Sequence, residues 1–279
     1  MTALIQPGSP RVIVTRPARE AAAWVQSLSQ ARLQAVALPL IDILPVDDPR
    51  PVHQAWQQLH DYAAVMFVSA NAVTGFFESK PAVSQWTVAQ AAIKQIAISR
   101  AWATGPGTVQ ALRQAGVPPE LINAPPPEAA QFDSEALWRL VGAHVRAGQR
   151  VLIVRGRDGQ AMGAVQGVGV GRDWLASRLT EAGVGVDFVV AYQRVCPHLD
   201  KQQQQLAQEA ARDGSVWLFS SSEAVVNLRT LLPAQDWAAA RAIATHARIA
   251  EAAKAAGFGV VCESRPTVAD IVGSIESIR

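Results

Sequence analysis

Val65-Met66-Phe67-Val68-Ser69-Ala70-Asn71-Ala72-Val73 is matched later in the chain by Val216-Trp217-Leu218-Phe219-Ser220-Ser221-Ser222-Glu223-Ala224-Val225. In each, an apolar run of strand character ends at serine and gives way to residues that open a helix. Each copy leads to a second shared element. Ala103-Thr104-Gly105-Pro106-Gly107-Thr108 continues to Ala111-Leu112 and closes at Ala115-Gly116. Ala244-Thr245-His246 continues to Ala252-Ala253 and closes at Ala256-Gly257, with the same spacing from Thr to Gly. The residues between the matched points are unalike, so low complexity does not explain the match. A chain built twice from one strand-turn-helix plan is expected. Small-residue turns at helix starts leave backbone N–H groups pointing outward, which holds anions without many cationic side chains.

The flanking sequence extends the plan. Residues 11–15 form a β-branched run before Pro17, and Ala21, Val25 and Leu28 then recur at helical spacing. Their counterpart is the apolar run 151–155, followed by a helix expected from about Asp173 that carries Leu175, Leu179 and Ala182 and stops at Gly183. Fully apolar strands followed by helices point to the α/β class, with parallel sheets covered by helices on both faces. The runs 35–44 and 184–192 read as extended and are expected to pair as a connector. Further strands are expected at 121–124 and 259–262, and helices near Asp133 and at Thr267, where Thr267-Val268-Ala269-Asp270 has the capping-box pattern. No element is assigned over 83–99.

A chain of 279 residues, about half of them apolar, is long enough for two ordinary cores. Its net charge of +2 comes without a Lys/Arg run, which argues against nucleic acid or an anionic membrane surface as partner. Small acidic ligands remain compatible. Cys196 and Cys262 are the only cysteines, too few for a Cys-x-x-Cys metal site and in keeping with a reduced compartment. Neither a leader segment nor a spanning apolar stretch is read, so a cytoplasmic location is expected.

Gly156-Arg157-Asp158-Gly159, followed by Gly163, Gly167, Gly169 and Gly171, sits where nucleotide-binding turns sit. The Gly-Lys-Ser/Thr of a P-loop is missing, because the helix is expected to open with Gly171-Arg172-Asp173. Asp187 is a poor candidate for the ribose ligand of a dinucleotide fold. A flexible surface loop is the expected reading. His53 and His60 would stand two turns apart on a polar helix and are read as solvated surface, so no metal is expected. Trp24, Trp56, Trp138, Trp174 and Trp237 fall within expected helices and are read as packing residues. Ser69, Ser221 and Ser222 lack the G-x-S-x-G context of a nucleophile, which leaves hydrogen bonding to a ligand or helix capping. Arg16 and Arg155 are placed at the ends of the first strands of the two halves, where open parallel sheets hold ligands; pairing with a carboxylate is the other reading.

The opening Val-Ile-Val-Thr-Arg-Pro, the Phe-Val-Ser-Ala-Asn-Ala-Val turn, the Thr-Gly-Pro-Gly-Thr loop, Arg155-Gly156, Gly171-Arg172-Asp173-Trp174-Leu175 and Ala191-Tyr192-Gln193-Arg194 together resemble the uroporphyrinogen-III synthase family. The resemblance runs from about residue 11 to the end and rests on the order and spacing of the motifs. It implies two α/β lobes joined by a two-stranded β-ladder. Domain 1 would comprise 1–34 plus 193–279 and domain 2 would span 45–183, with 35–44 and 184–192 as linker strands. It also implies a cofactor-free lyase that turns hydroxymethylbilane, a linear tetrapyrrole with eight carboxylates, into uroporphyrinogen III and water; a monomer is expected because the sequence shows no unusual apolar surface stripe. The family's linker tyrosine falls on Tyr192, which would help the hydroxyl leave. Ser69 with Ala70, Thr104, Gly105, Thr108, Ser221 and Ser222 would lie on loops that bind acetate and propionate groups, with Arg16, Arg155 and Gly156 beside them. The two serine turns would fall in different lobes, on opposite sides of a cleft. The second copy departs from the first at Thr245-His246-Ala247-Arg248, where Arg248 is read as a carboxylate ligand or a helix-surface arginine. Two other classes share some of these features: a two-lobed binding module for an anion, and a nucleotide-dependent enzyme using the glycine-rich loop.

Overall fold

In a computed structural model the chain is described over residues 10–81, 99–126, 129, 131–158 and 170–278. Its strands in chain order are β1 Val12–Val14, β2 Ala35–Ala37, β3 Asp42–Leu44, β4 Ala64–Phe67, β5 Ala101–Ala103, β6 Ile122–Asn123, β7 Arg150–Asp158, β8 Gly185–Val195, β9 Val216–Phe219, β10 Arg241–Ala244 and β11 Val260–Glu263. The helices are α1 Ala18–Gln30, α2 Arg50–Gln57, α3 Ala70–Glu78, α4 Pro106–Gln114, α5 Ser134–Val141, α6 Val170–Glu181, α7 Lys201–Ala210, α8 Ser222–Leu231, α9 Ala247–Ala255 and α10 Val268–Ser277. The chain divides into two compact units, 1–42 with 195–279 and 43–194.

The first unit holds a parallel sheet in the order β11-β10-β9-β1-β2. Every residue of β1 and β9 is buried, as a central strand covered on both faces requires. One face packs Val12, Val14, Val216, Leu218 and Ile243 against Leu28 of α1 and Ile271 and Ile275 of α10. The second unit holds a sheet in the order β3-β8-β7-β4-β5-β6, parallel from β8 through β6. Alternation along β4 sends Phe67 to one face, among Trp56, Phe76 and Leu152, and Met66 to the other, among Ile153, Leu175 and Leu179. No helix among the described residues is long and apolar enough to cross a membrane.

The duplicated plan is present in the topology. β9-α8-β10-α9-β11 runs beside β1, and β4-α3-β5-α4-β6 runs beside β7, in the same neighbour order. The matched glycines close α4 and α9 alike. Gly116 and Gly257 have φ of 86° and 98°, a region that side-chain-bearing residues avoid. In each case the next residue bonds back into the last turn, Val117 N–H to Leu112 O and Phe258 N–H to Ala253 O, and buries its side chain.

Several expectations are corrected. The strand read over 151–155 is nine residues long, because the long β8 offers a partner to its end; Gly156 and Arg157 therefore lie in the sheet and not in a surface loop, and Arg155 is not at the strand's end. The rest of the glycine-rich segment, 159–169, lies outside the described residues, as do residues 82–98. The helix expected from about Asp173 begins at Val170. The run 35–44 is not continuous: β2 pairs with β1 and β3 lies beside β8, with Pro39, which has no N–H for a ladder, between them. Trp237 lies in the connection before β10, not in a helix, and packs there with Trp217 and Phe258. Thr267 caps α10 by accepting from Asp270 N–H, but the Asp270 carboxylate takes the Thr267 hydroxyl at 2.5 Å and does not complete the reciprocal box.

Candidate active site

The sequence-predicted residues gather at the carboxyl ends of neighbouring strands, separately in each unit. In the second unit Ser69 follows β4, Thr104 and Gly105 follow β5, and Gly156 lies in the adjacent β7. Ser69 is the N-cap of α3, extended at φ −164°, and its Oγ accepts from Ala72 N–H at 3.1 Å. Ala70 is the first residue of that helix. Gly105 caps α4 with no side chain to offer, and Thr108, in the first turn, is buried.

Tyr192 is brought to Ser69 by a fault in strand pairing. Along β7 and β8 Arg155 pairs with Val190, but Gly156 pairs with Tyr192, so Ala191 is an extra residue. Such a bulge re-aims the side chains beyond it. Its mark is the loss of alternation, since Ala191, Tyr192 and Gln193 are buried in succession. The Tyr192 ring then lies on Gly156: a methyl at that position would stand 2.6 Å from Cε2 and 2.8 Å from Cε1, and nearer still to Cζ. Gly75 of α3 approaches the same bulge, where a methyl would meet the Ala191 carbonyl. The phenol oxygen of Tyr192 ends 3.1 Å from Ser69 Oγ. Tyr192 is 4% exposed, and a buried phenol needs the hydrogen bond that Ser69 provides.

The strand beyond the bulge is tied down by a polar network that the sequence reading missed. Buried Gln193 donates from Nε2 to Pro45 O and Asp47 Oδ1, both at 3.0 Å, and accepts from Arg157 Nη2 at 2.9 Å. Arg157 also reaches Asp47 Oδ2 at 3.1 Å. The signal available was Gln193 next to Tyr192 in the linker motif, but its partners lie far away in sequence. The Arg155 guanidinium lies over the Phe188 ring, 4.6 Å from the centroid.

In the first unit Ser221 caps α8, its Oγ accepting from Glu223 N–H at 3.2 Å, and Ser222 opens the helix. On the neighbouring strand His246 caps α9 with Nδ1 accepting from Arg248 N–H at 3.1 Å, which requires that nitrogen to be unprotonated. The Arg248 side chain is exposed. Arg16, just past β1, pairs with Glu20 at 3.1 Å and stacks on Trp24 at 4.8 Å, so the carboxylate-pairing reading describes its contacts here. Capping likewise describes the bond of Ser221, and one of the two that Ser69 makes, the other being to Tyr192. No group of three or more His, Cys, Asp or Glu suited to a metal occurs among the described residues. A cavity of about 450 Å³ beside α4, lined by Val109, Arg113, Ile122, Pro125 and Phe132 among others, takes in none of the predicted site residues.

Burial pushes the Tyr62 phenol up, and the nearby Asp187 carboxylate adds to this, with Arg150 bonded to Asp187 at 2.8 Å. That cluster sits at the amino ends of β7 and β8, away from the serine turns. Burial also raises the Cys196 thiol, helped by Asp42 and Glu223.

Comparison with known proteins follows the same geometry. The family model described as uroporphyrinogen-III synthase HemD matches residues 22–273. A uroporphyrinogen-III synthase of Chlorobaculum parvum is 33% identical over 147 residues, a match that spans 52% of this chain and 52% of that protein. Among solved structures, the uroporphyrinogen-III synthetase of Helicobacter pylori aligns with a TM-score of 0.55 at 14% identity, over 97% of this chain and all of that one. A mutant uroporphyrinogen III synthase of Thermus thermophilus gives 0.51 at 14%, over 96% and 98%. At such identities the structures speak for the fold, whereas the family model covers nearly the whole sequence. The chain belongs to the uroporphyrinogen-III synthase family.

Proposed function

We propose that the chain is a lyase of tetrapyrrole biosynthesis that closes hydroxymethylbilane to uroporphyrinogen III with inversion of ring D and release of water. The observation that carries the reading is the Tyr192 hydroxyl, fixed by the bulge, by Gly156 and by Ser69 at 3.1 Å. Its task is to protonate the departing hydroxyl, so that the C–O bond breaks and an azafulvene forms. Ring D attacks that carbon through its substituted position to give a spiro intermediate, which fragments and recloses inverted. The proton supplied at departure is balanced by the one released when the last pyrrole regains aromaticity, so the sequence needs no redox partner or cofactor. General acid assistance of this kind contributes about 10²–10⁴-fold.

Positioning is the larger demand, because the open substrate closes unaided to the uninverted isomer. In each unit the helix starts, α3 and α4 in one and α8 and α9 in the other, present oriented N–H groups suited to carboxylates, and Arg16, Arg155 and Arg248 are read as further cationic ligands. Thr104, Thr108 and Ser222 belong to the same reading, which also takes the protein as a monomer working in the cytoplasm.

Freshly prepared hydroxymethylbilane added to the purified protein without cofactor should yield predominantly the type III isomer. Only type I product from folded protein would refute the proposal. Tyr192→Phe should fold, since the ring is kept, and should lower kcat by about 10²–10⁴-fold; wild-type turnover would remove Tyr192 from the chemistry.

A further inference from the structure

Ser69 Oγ carries one proton and two lone pairs. The Ala72 N–H, at the start of α3, takes one lone pair, and Tyr192 Oη lies in reach at 3.1 Å. The bond between the two hydroxyls can run either way. With the phenol as donor, its proton turns inward to the serine and is lost to a substrate. With the serine as donor, the phenol proton is free to point outward. Accepting from a helix-start N–H polarises the serine hydroxyl and makes it the better donor, and the positive end of α3 favours negative charge at the end of such a chain. A phenol that has given up its proton in a buried place also needs a donor aimed at it.

We infer that Ser69 is a positioning residue for the reaction: it donates to Tyr192 Oη, turns the phenol proton toward the departing hydroxyl, and holds the charge that remains. The relay runs from Ala72 N–H through Ser69 Oγ–H to Tyr192 Oη–H and then to the leaving oxygen, with one proton transferred, at the last link. This rests on Tyr192 being the acid. The second copy shows that the cap alone does not explain the arrangement. Ser221 occupies the same place after β9 and bonds its own helix, yet the chain's other tyrosine, Tyr62, belongs to the Asp187 cluster in the other unit.

The test must separate this role from capping. Glycine keeps most of an N-cap's stability, within a few tenths of a kcal/mol, so Ser69→Gly removes the hydroxyl with little effect on folding. Type III formation is followed in wild type, Ser69→Gly, Ser69→Thr, Tyr192→Phe and the Ser69→Gly/Tyr192→Phe double variant, with thermal melts to confirm folding. Ser69→Gly should lower kcat by about 10–100-fold with KM within about twofold, a part of the roughly 10²–10⁴-fold that general acid assistance contributes, and Ser69→Thr should recover most of it. In the Tyr192→Phe background the same change should cost less than about twofold, because coupled residues are not additive. An equal loss in both backgrounds, or none in wild type, overturns the inference while a Tyr192→Phe defect keeps the acid. A Tyr192→Phe variant of full activity removes the acid itself. Ser69→Asp is a second probe: it retains the cap but can only accept, so it should stay folded and lose kcat as Ser69→Gly does. Wild-type kcat in that variant would show that capping is all Ser69 does.

Discussion

Gly156→Ala tests how the site is held. The added methyl would stand 2.6 Å and 2.8 Å from two ring carbons of Tyr192, where ordinary carbon contact is about 3.5–4.0 Å. The ring must move by roughly 1 Å to restore that contact. It has little freedom to do so, being 4% exposed and fixed on a bulge against which α3 packs through Gly75. Overpacking of a closed site typically destabilises by about 1–3 kcal/mol. A displacement of that size also takes Tyr192 Oη out of its 3.1 Å contact with Ser69, and misplacement of a reacting group by about 1 Å can lower a rate by roughly 10²-fold. Two assays divide the effect. Denaturant unfolding should show the loss of stability, while type III formation from fresh substrate should show a fall in kcat. In a Tyr192→Phe background the clash survives, because the ring atoms are the same, but the further loss of kcat should vanish. A Gly156→Ala protein with wild-type midpoint and wild-type kcat would refute both the packing argument and the reading of the bulge as a positioning device.

Gly75→Ala should be harmful for a related reason: its methyl meets the Ala191 carbonyl, a backbone atom that cannot swing aside, so a drop of about 1–3 kcal/mol in chemical denaturation is expected. Gln193→Ala should lower stability by about 1–3 kcal/mol, because Asp47 and Arg157 lose their shared partner and Pro45 O its donor; a midpoint unchanged in urea would show the network to be idle. The third expectation is a pH effect at the base of the first sheet. Burial raises the Asp213 carboxyl, but hydrogen bonds from Ser215, joined by Arg11, outweigh it and hold the group below its ordinary value. A folded pKa lower than the unfolded one stabilises above the unfolded value, and that contribution fades as pH falls through the acidic range toward the folded value. Asp213→Asn should therefore flatten the acid side of a stability–pH curve and leave a deficit of at most about 1 kcal/mol at neutral pH, since the carboxylate is partly solvated.

The duplicated turn carried most of the fold, because its signals are local. Apolar runs before Ser69 and Ser221, and glycines at 116 and 257, each report a conformation that their own neighbours decide. Arg155 and Gly156 mark where such reading stops. A strand ends where its partner ends, and whether 151–155 continues to Asp158 depends on a β8 some thirty residues away in sequence. The bulge is less legible still. It arises from one unpaired residue in a register of nine pairs, and a shift of one residue exchanges the faces of every side chain beyond it. From the sequence Tyr192 could be placed on an extended run but not turned toward anything. Its aim is set jointly by a missing side chain at Gly156, a close approach at Gly75 and a hydroxyl at Ser69, three residues on two other elements that no periodicity connects. The helix starts proposed to hold carboxylates are therefore a property of the repeat, readable in both halves, whereas the proposed acid is a property of one half alone. The duplicated plan accounts for the two capped helix starts; the Tyr192 contact that distinguishes Ser69 from Ser221 is where the proposed chemistry enters.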